Sequence, residues 1–422
     1  MDIADTTSPG ITLMPADDLE PAERVSAGWM SRFTLLWLGF WMAWLVPVEL
    51  ILPIELASVD AAHEVRDLGM VNGAAGVAAL IALPLAGALC DRTRSRFGRR
   101  RLWVAAGVAV FAVSLLITGI QHSWPGVMTG WMLASLGFSM ASAGLFAAVA
   151  DHVPVVQRGI VSGAIFGPQA LGLLAGLILL TEVVTGTITG FAVLAAMVVV
   201  LSLPFVSRYR EAPEPRSRPP LTLRSLAESM WVSPRAHPDF AWAFGGRVAV
   251  NIGNALGTTY LLYFLADFLH MPDPESGLLI LTVIYLAFTL IATYGGGVLS
   301  DRTGRRRVFA AVAALLQGAA AVLLVVRPTF GVAGFAAALL GAGYGAFLSV
   351  DQALVTEVLP DASSRAKDLG IMNIAVNVPQ ALAPVAAALI IDELGGYRML
   401  FGAGGLFTFL GVLMVYRIRS VR

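Results

Sequence analysis

The chain has 422 residues, 57% of them hydrophobic and 13% charged, with no net charge at neutral pH and a mean hydropathy of +0.77. Soluble globular chains carry about 25% charged residues, so this composition excludes a single water-soluble core. The lone cysteine, Cys90, excludes an intrachain disulfide framework and a cysteine-based zinc site, and reads as a small apolar filler at a helix end.

Residues 1–28 carry Asp2, Asp5, Asp17, Asp18, Glu20 and Glu23, the opposite of the basic start of a secretory leader. They are expected to form a disordered cytoplasmic tail, with no cleavable leader and with the first apolar run kept as a membrane helix. Crossing the ~30 Å hydrocarbon core takes about 20 apolar residues. Runs of that length fall near 32–56, 68–89, 102–120, 126–149, 159–182 and 187–206. A second set falls near 240–265, 276–299, 308–326, 331–356, 369–391 and 398–416. The pattern predicts an all-α membrane protein of twelve transmembrane helices, in six-helix bundles over 29–206 and 238–422. The linker between them, 207–237, holds Arg208, Arg210, Pro213, Pro215, Pro219, Pro220 and Pro234, with Pro238 at its exit. It is too polar and proline-rich to span a bilayer, and a short interfacial helix is expected around Leu223–Trp231.

Lys and Arg placement sets the orientation. With both termini cytoplasmic, all but four of the 28 basic residues fall inside; Arg66, Arg327 and Arg398 fall outside and Arg247 within a helix. The predicted location is the plasma or inner membrane.

A basic cassette occurs twice. Asp91-Arg92-Thr93 is followed by Gly98-Arg99-Arg100-Arg101, and the second copy is Asp301-Arg302-Thr303-Gly304-Arg305-Arg306-Arg307. From Gly98 to Pro154 an offset of 206 maps the first half onto the second without a gap, bringing Gly137 onto Gly343, Asp151 onto Glu357 and Pro154 onto Pro360. Pro168-Gln169-Ala170-Leu171 then matches Pro379-Gln380-Ala381-Leu382 at an offset of 211. Parallel six-helix repeats place a binding site at their interface near the midplane, with rocking of the halves giving alternating access.

These motifs resemble the major facilitator superfamily over essentially the whole length apart from the tail. Its signature after the second helix is Gly-x-x-x-Asp-Arg-x-Gly-Arg-Arg. Gly87-Ala88-Leu89-Cys90-Asp91-Arg92 opens the first copy, and Thr93-to-Phe97 precedes Gly98-Arg99-Arg100-Arg101. That longer form is similar to the sucrose-transporter and glycoside–pentoside–hexuronide branches. Gly297-Val298-Leu299-Ser300-Asp301-Arg302-Thr303-Gly304-Arg305-Arg306 fits the pattern without insertion. Asp151 with Arg158 resembles the acidic–basic pair of sugar porters. Gly163-Ala164-Ile165-Phe166-Gly167-Pro168 resembles part of the drug–proton antiporter motif, whose closing Gly-Gly is replaced by Leu171-Gly172.

Arginines at helix ends can bond carbonyls and pair with carboxylates. The resemblance implies a cytoplasmic gate of Asp91, Arg92, Arg99, Arg100, Asp151, Arg158, Asp301, Arg302, Arg305, Arg306 and Glu357 that holds the outward-open state. The alternative is orientation by positive charge alone.

An ionisable group at the bilayer centre costs ~2.5–3.5 kcal/mol even on lenient scales, so it must face a partner or a wet cavity. Arg247 begins a polar stripe with Asn251, Asn254 and Thr258 at i+4, i+7 and i+11. The resemblance places such a stripe on the cavity; the alternative for Arg247 is a purely structural ion pair. Asp351, with Tyr344 two turns earlier, stands where the first half has Leu145, which favours a site role over shared scaffold. Arg247 and Asp351 are expected to pair, since a buried acid beside an arginine can exchange paired and protonated states. Glu49, between Pro47 and Pro53, is the rival proton carrier, and Glu55 reads as interfacial. Asn373, Asn377 and Gln380 form either a helix–helix seam or a substrate contact. Trp41, Trp44, Tyr260, Tyr263 and Tyr344 could stack on sugar rings or serve as packing residues. Gly69, Gly73, Gly76, Gly163 and Gly167 read as close-packing positions.

Phosphate-loop, zinc-histidine and nucleophile-elbow signatures are absent, so the expectation is no enzyme, no cofactor, no metal and no nucleic-acid partner. The expected function is gradient-driven transport of a small organic solute, by a monomer in the lipid bilayer, preferably proton-coupled sugar or glycoside symport. Proton-driven drug or metabolite efflux is the alternative. A non-transporting membrane sensor on the same scaffold would need a long soluble signalling domain, for which neither tail nor linker is long enough.

Overall fold

A computed structural model describes residues 24–154, 157–209, 235–303, 306–357 and 365–418. The first six-helix half comprises α1 Ala27–Val59, α2 Glu64–Arg92, α3 Arg99–Gly119, α4 Trp124–His152, α5 Arg158–Glu182 and α6 Thr187–Arg208. The second comprises α7 Pro238–Phe268, α8 Pro274–Thr303, α9 Arg306–Val326, α10 Phe330–Glu357, α11 Arg365–Glu393 and α12 Gly396–Tyr416. No strand occurs among the described residues. Eleven of the twelve are long and apolar enough to cross a membrane on the described residues alone, and α11 completes the set. The interfacial helix expected around Leu223–Trp231 lies outside the described residues.

Helix ends follow local chemistry. Ala27 and Gly28, expected in the tail, are helical because the Ser26 hydroxyl caps α1 by accepting from the Trp29 amide. Gly98 opens α3 at φ +89°, a conformation that explains the glycine ahead of the arginines. Asp273 caps α8 by accepting from the Ser276 amide at 3.1 Å, and these bonds hold its carboxyl below the usual range.

Two helices carry π-turns, Pro47–Ile51 in α1 and Phe264–Phe268 in α7. In α1, Pro47 and Pro53 lack the N–H groups that a regular helix uses. The ladder is carried instead by a wider bond from the Leu52 amide to the Pro47 carbonyl.

The duplication is visible in the packing. Gly137 of α4 lies against the backbone of Phe111 in α3; 206 residues on, Gly343 of α10 lies against Ala313 and Gln317 of α9. Gln317 is the counterpart of Phe111. Ser135 donates to the Ala75 carbonyl at 2.7 Å, and its counterpart Gly341 sits on the Tyr285 carbonyl. Both halves thus dock their fourth helix on their second at the same height.

The first half is filled by aromatic side chains. Trp37, Phe40, Phe111 and Trp131 are essentially fully buried, and Trp44 stacks on Trp131 with centroids 5.0 Å apart. Large apolar residues such as Val183, Ile188, Val200, Ile291 and Val326 are exposed. Water would penalise that surface; lipid tails do not.

The halves meet along α2 and α11. A Cβ on Gly69 would lie 2.6 Å from the Ala388 Cβ, one on Gly76 would lie 2.6 Å from the Ala381 Cα, and one on Gly73 would strike Val385. Only glycine permits this approach. Tyr260 of α7 donates toward the Val65 and Pro384 carbonyls at 3.1 and 3.0 Å, and Tyr263 donates to the Pro53 carbonyl at 2.9 Å. These contacts all lie in the part of the molecule remote from the cassettes, here called the far end. Toward the cassette end, Gly87, Gly163 and Gly167 would meet nothing within 4 Å if given a Cβ. Gly69, Gly73 and Gly76 are therefore close-packing positions as expected; Gly163 and Gly167 are not.

Candidate functional site

The polar stripe of α7 finds its partners on α10 and α8. An Arg247 guanidinium nitrogen lies 2.9 Å from an Asp351 carboxylate oxygen, with both side chains buried, at 7% and 5% exposure. One turn on, Asn251 donates through its amide to the Arg247 carbonyl at 2.8 Å and accepts from the Tyr344 hydroxyl at 3.4 Å. Asn254 accepts from the Tyr285 hydroxyl at 3.2 Å, and Thr258 donates to the Asn254 carbonyl at 3.2 Å. The steps from Arg247 to Asn254 climb about 10 Å along the helix axis. The result is a ladder: an ion pair nearest the cassettes, then two amide–phenol rungs.

The ladder has loose ends. Arg247 Nε is buried and has no hydrogen-bond partner among the described residues. Such a donor costs of order 1–3 kcal/mol when unsatisfied. Among the described residues the guanidinium is thus held by its terminal nitrogen, with Nε left without a partner.

Glu49 faces this ladder from the first half. It sits in the α1 π-turn, half-buried, within electrostatic reach of Tyr285. Glu55, expected at the interface with lipid headgroups, is instead buried at 5% exposure. It is the fourth residue after the π-turn, whose extra residue shifts every later position around the helix.

The aromatic candidates divide. Trp41 donates to the Ile165 carbonyl at 2.7 Å and Trp44 stacks in the core, while Tyr260 and Tyr263 bridge the halves. Only Tyr344 belongs to the ladder. Gln380 is exposed, and the side chains of Asn373 and Asn377 lie outside the described residues.

At the cassette end the first copy forms a network inside the first half. Arg100 bonds Asp151 through Nε at 2.9 Å, Asp91 through a terminal nitrogen, and the Cys90 sulfur at 3.3 Å. Arg99 reaches the same Asp151 oxygen at 3.3 Å. Two buried cations at the start of a helix oppose its dipole, so the shared carboxylate of α4 and the Asp91 carboxylate of α2 offset that cost. Cys90, expected as apolar filler, is buried and also accepts a hydrogen bond. Arg92 and Arg302 are exposed. The side chains of Arg158, Asp301, Arg305, Arg306 and Glu357 lie outside the described residues.

Tyr285 is the ladder residue that the sequence pattern passed over. Its first-half counterpart, by the offset of 210 that relates the two Asp-Arg pairs, is Ala75. The substitution logic that drew attention to Asp351 opposite Leu145 applies equally to a phenol opposite an alanine.

Comparison with known proteins bears on this arrangement. A family model described as Major Facilitator Superfamily matches residues 33–282 and 244–422. A multidrug resistance protein, MdtG of Salmonella paratyphi C (strain RKS4594), is 30% identical over 167 residues, which span 36% of this chain and 40% of that protein. The crystal structure of a mutant of the nucleoside transporter NupG superposes with a TM-score of 0.70 at 13% identity, covering 92% of this chain and 98% of that one. This likeness is one of fold.

Proposed function

The chain belongs to the Major Facilitator Superfamily, and from that premise we propose that it is a secondary active transporter carrying a polar, hydroxylated solute, a sugar or glycoside, coupled to protons. The observation that carries the reading is the α7 ladder. Its rungs alternate amide and phenol groups, which donate to and accept from hydroxyls, and it ends in a charge pair. A sugar ring offers both hydrogen-bond roles at each hydroxyl. Glu49 closes the arrangement from the other half, so a solute between Glu49 and Tyr285 touches both bodies that must move.

In this reading Asp351 is the coupling acid. Paired with Arg247 it is ionised; when a proton or solute disturbs the pair, it takes the proton and frees the guanidinium. The cassette end faces the cytoplasm, by the distribution of Arg and Lys, and the Arg99–Arg100–Asp151–Asp91 network stiffens the first half against which the second rocks.

A second reading, proton-driven efflux, draws support from the stretch shared with the multidrug resistance protein and from the Gly163-to-Pro168 run. Direction separates the two. Cells lacking endogenous sugar uptake, expressing this chain and given a labelled sugar and glycoside panel, should accumulate label under an inward proton gradient. No sugar-dependent signal, together with raised drug resistance and proton-driven loading of everted vesicles, reverses the order.

A further inference from the structure

The far end holds two carboxyl groups, one from each half, in direct contact. Glu64 opens α2 and Asp267 lies in the π-turn that ends α7. Their side chains share a hydrogen bond, and the Tyr397 hydroxyl of α12 donates to Asp267 at 3.2 Å. Two carboxylates cannot hydrogen-bond each other unless one carries a proton. The next residue after Glu64 is Val65, whose carbonyl accepts from Tyr260. A proton shared by the two groups would therefore sit on the seam where the halves are closed.

We propose that Glu64 and Asp267 form a proton site that latches the far end: the shared proton holds the halves together there, and its release to solution on that face lets them part. Loss of the proton leaves two like charges at hydrogen-bond range on opposite halves, and their repulsion acts along the direction of opening. Asp267 is exposed and Glu64 half-buried, so the proton exchanges with the far-side solution without crossing the ladder. The site is separate from Asp351, which lies near the other end of the molecule.

Most of the surrounding charges are engaged elsewhere. On α2, Arg66 is engaged by Asp67 at 2.8 Å, and before α2, His63 pairs with Asp60 at 3.1 Å. Asp392 of α11 feels Arg66 and His63, and Glu393 stands beside it. On the α7 side, His270 is within electrostatic reach of Asp267, and Tyr263 lies within reach of both carboxyl groups. Tyr397 is followed on α12 by exposed Arg398.

The test is conformational, so it stands or falls separately from the solute assignment. Spin labels at His122→Cys and Arg327→Cys, in a Cys90→Ser background, report the far-end separation of the full chain in lipid nanodiscs by pulsed electron paramagnetic resonance. Going from acid to alkaline pH should move the population from the short to the long distance, with about a tenfold change in their ratio. Glu64→Gln and Asp267→Asn keep a hydrogen bond without a titrating proton, and each should hold the short distance at every pH. A wild-type distribution indifferent to pH overturns the proposal. So does an unchanged pH response in both variants, a response abolished by His270→Gln but kept by Glu64→Gln, or a response to sodium at fixed pH in place of one to protons.

Discussion

Gln317 occupies in the second half the place that Phe111 occupies in the first, each beneath a glycine of the neighbouring helix, Gly343 and Gly137. Phe111 is at home in an aromatic core. Gln317 is 1% exposed, and neither its amide nitrogen nor its carbonyl oxygen has a partner among the described residues. Replacing an unsatisfied buried amide with an apolar side chain of similar length removes a cost of about 1–3 kcal/mol. Gln317→Met should therefore raise the unfolding midpoint in detergent; an unchanged or lowered midpoint would show that the amide is satisfied in the membrane.

The Arg247–Asp351 pair should be costly to halve and cheap to remove whole. Asp351→Asn strands a buried guanidinium and is expected to destabilise by about 3–5 kcal/mol. Arg247→Met combined with Asp351→Leu should recover most of that loss. If the acid is the coupling group, neither protein accumulates solute against a gradient, although both still exchange labelled solute across the membrane. Normal pH-driven accumulation by Asp351→Asn ends the coupling assignment.

Tyr285→Phe removes one rung and leaves the ring in place. A neutral hydrogen bond is worth about 0.5–1.5 kcal/mol, so the KM for the hydroxylated solute should rise about twofold to tenfold with little change in maximal rate. An unaltered KM removes Tyr285 from the site.

Arg100 joins three groups with one fork, and lysine cannot reproduce that geometry. Arg100→Lys is expected to cost on the order of 2 kcal/mol, the worth of a charged hydrogen bond, measured by unfolding in detergent. A fully stable lysine variant would reduce the cassette to a topological signal.

Gly76→Val places two methyl groups against the Ala381 backbone, which cannot yield as a side-chain tip can. The far end should then stay apart. A membrane-impermeant maleimide should label Val65→Cys about tenfold faster in that background; equal labelling rates would mean the seam is not where the halves close.

The long helices were readable from the sequence because bilayer thickness imposes one length on every crossing, and the repeat was readable because the cassettes supplied the register. Arg247 and Asp351 stood out for the same reason: charge inside a span is costly, so it draws attention wherever it falls. Tyr285 and Gln317 lacked that flag, being uncharged. Glu55 was misplaced because a π-turn shifts every later residue around the helix, and nothing local to Pro47–Ile51 announces it beyond the two prolines. Glu64 and Asp267 are far apart along the chain and meet through the docking of α2 against α7. Helix periodicity carries no information about such a meeting.

The glycine face of α2 has one more consequence. Gly69, Gly73 and Gly76 present bare backbone to Ala381, Val385 and Ala388, so no interlocked side chain has to be lifted clear before one half turns on the other. The seam is a plain bearing: smooth, tightly toleranced and held shut by a few polar pins such as the Tyr260 hydroxyl. Friction in such a joint scales with the methyl groups added to it. The speed of the turnover cycle is thus written partly in side chains that this protein does without.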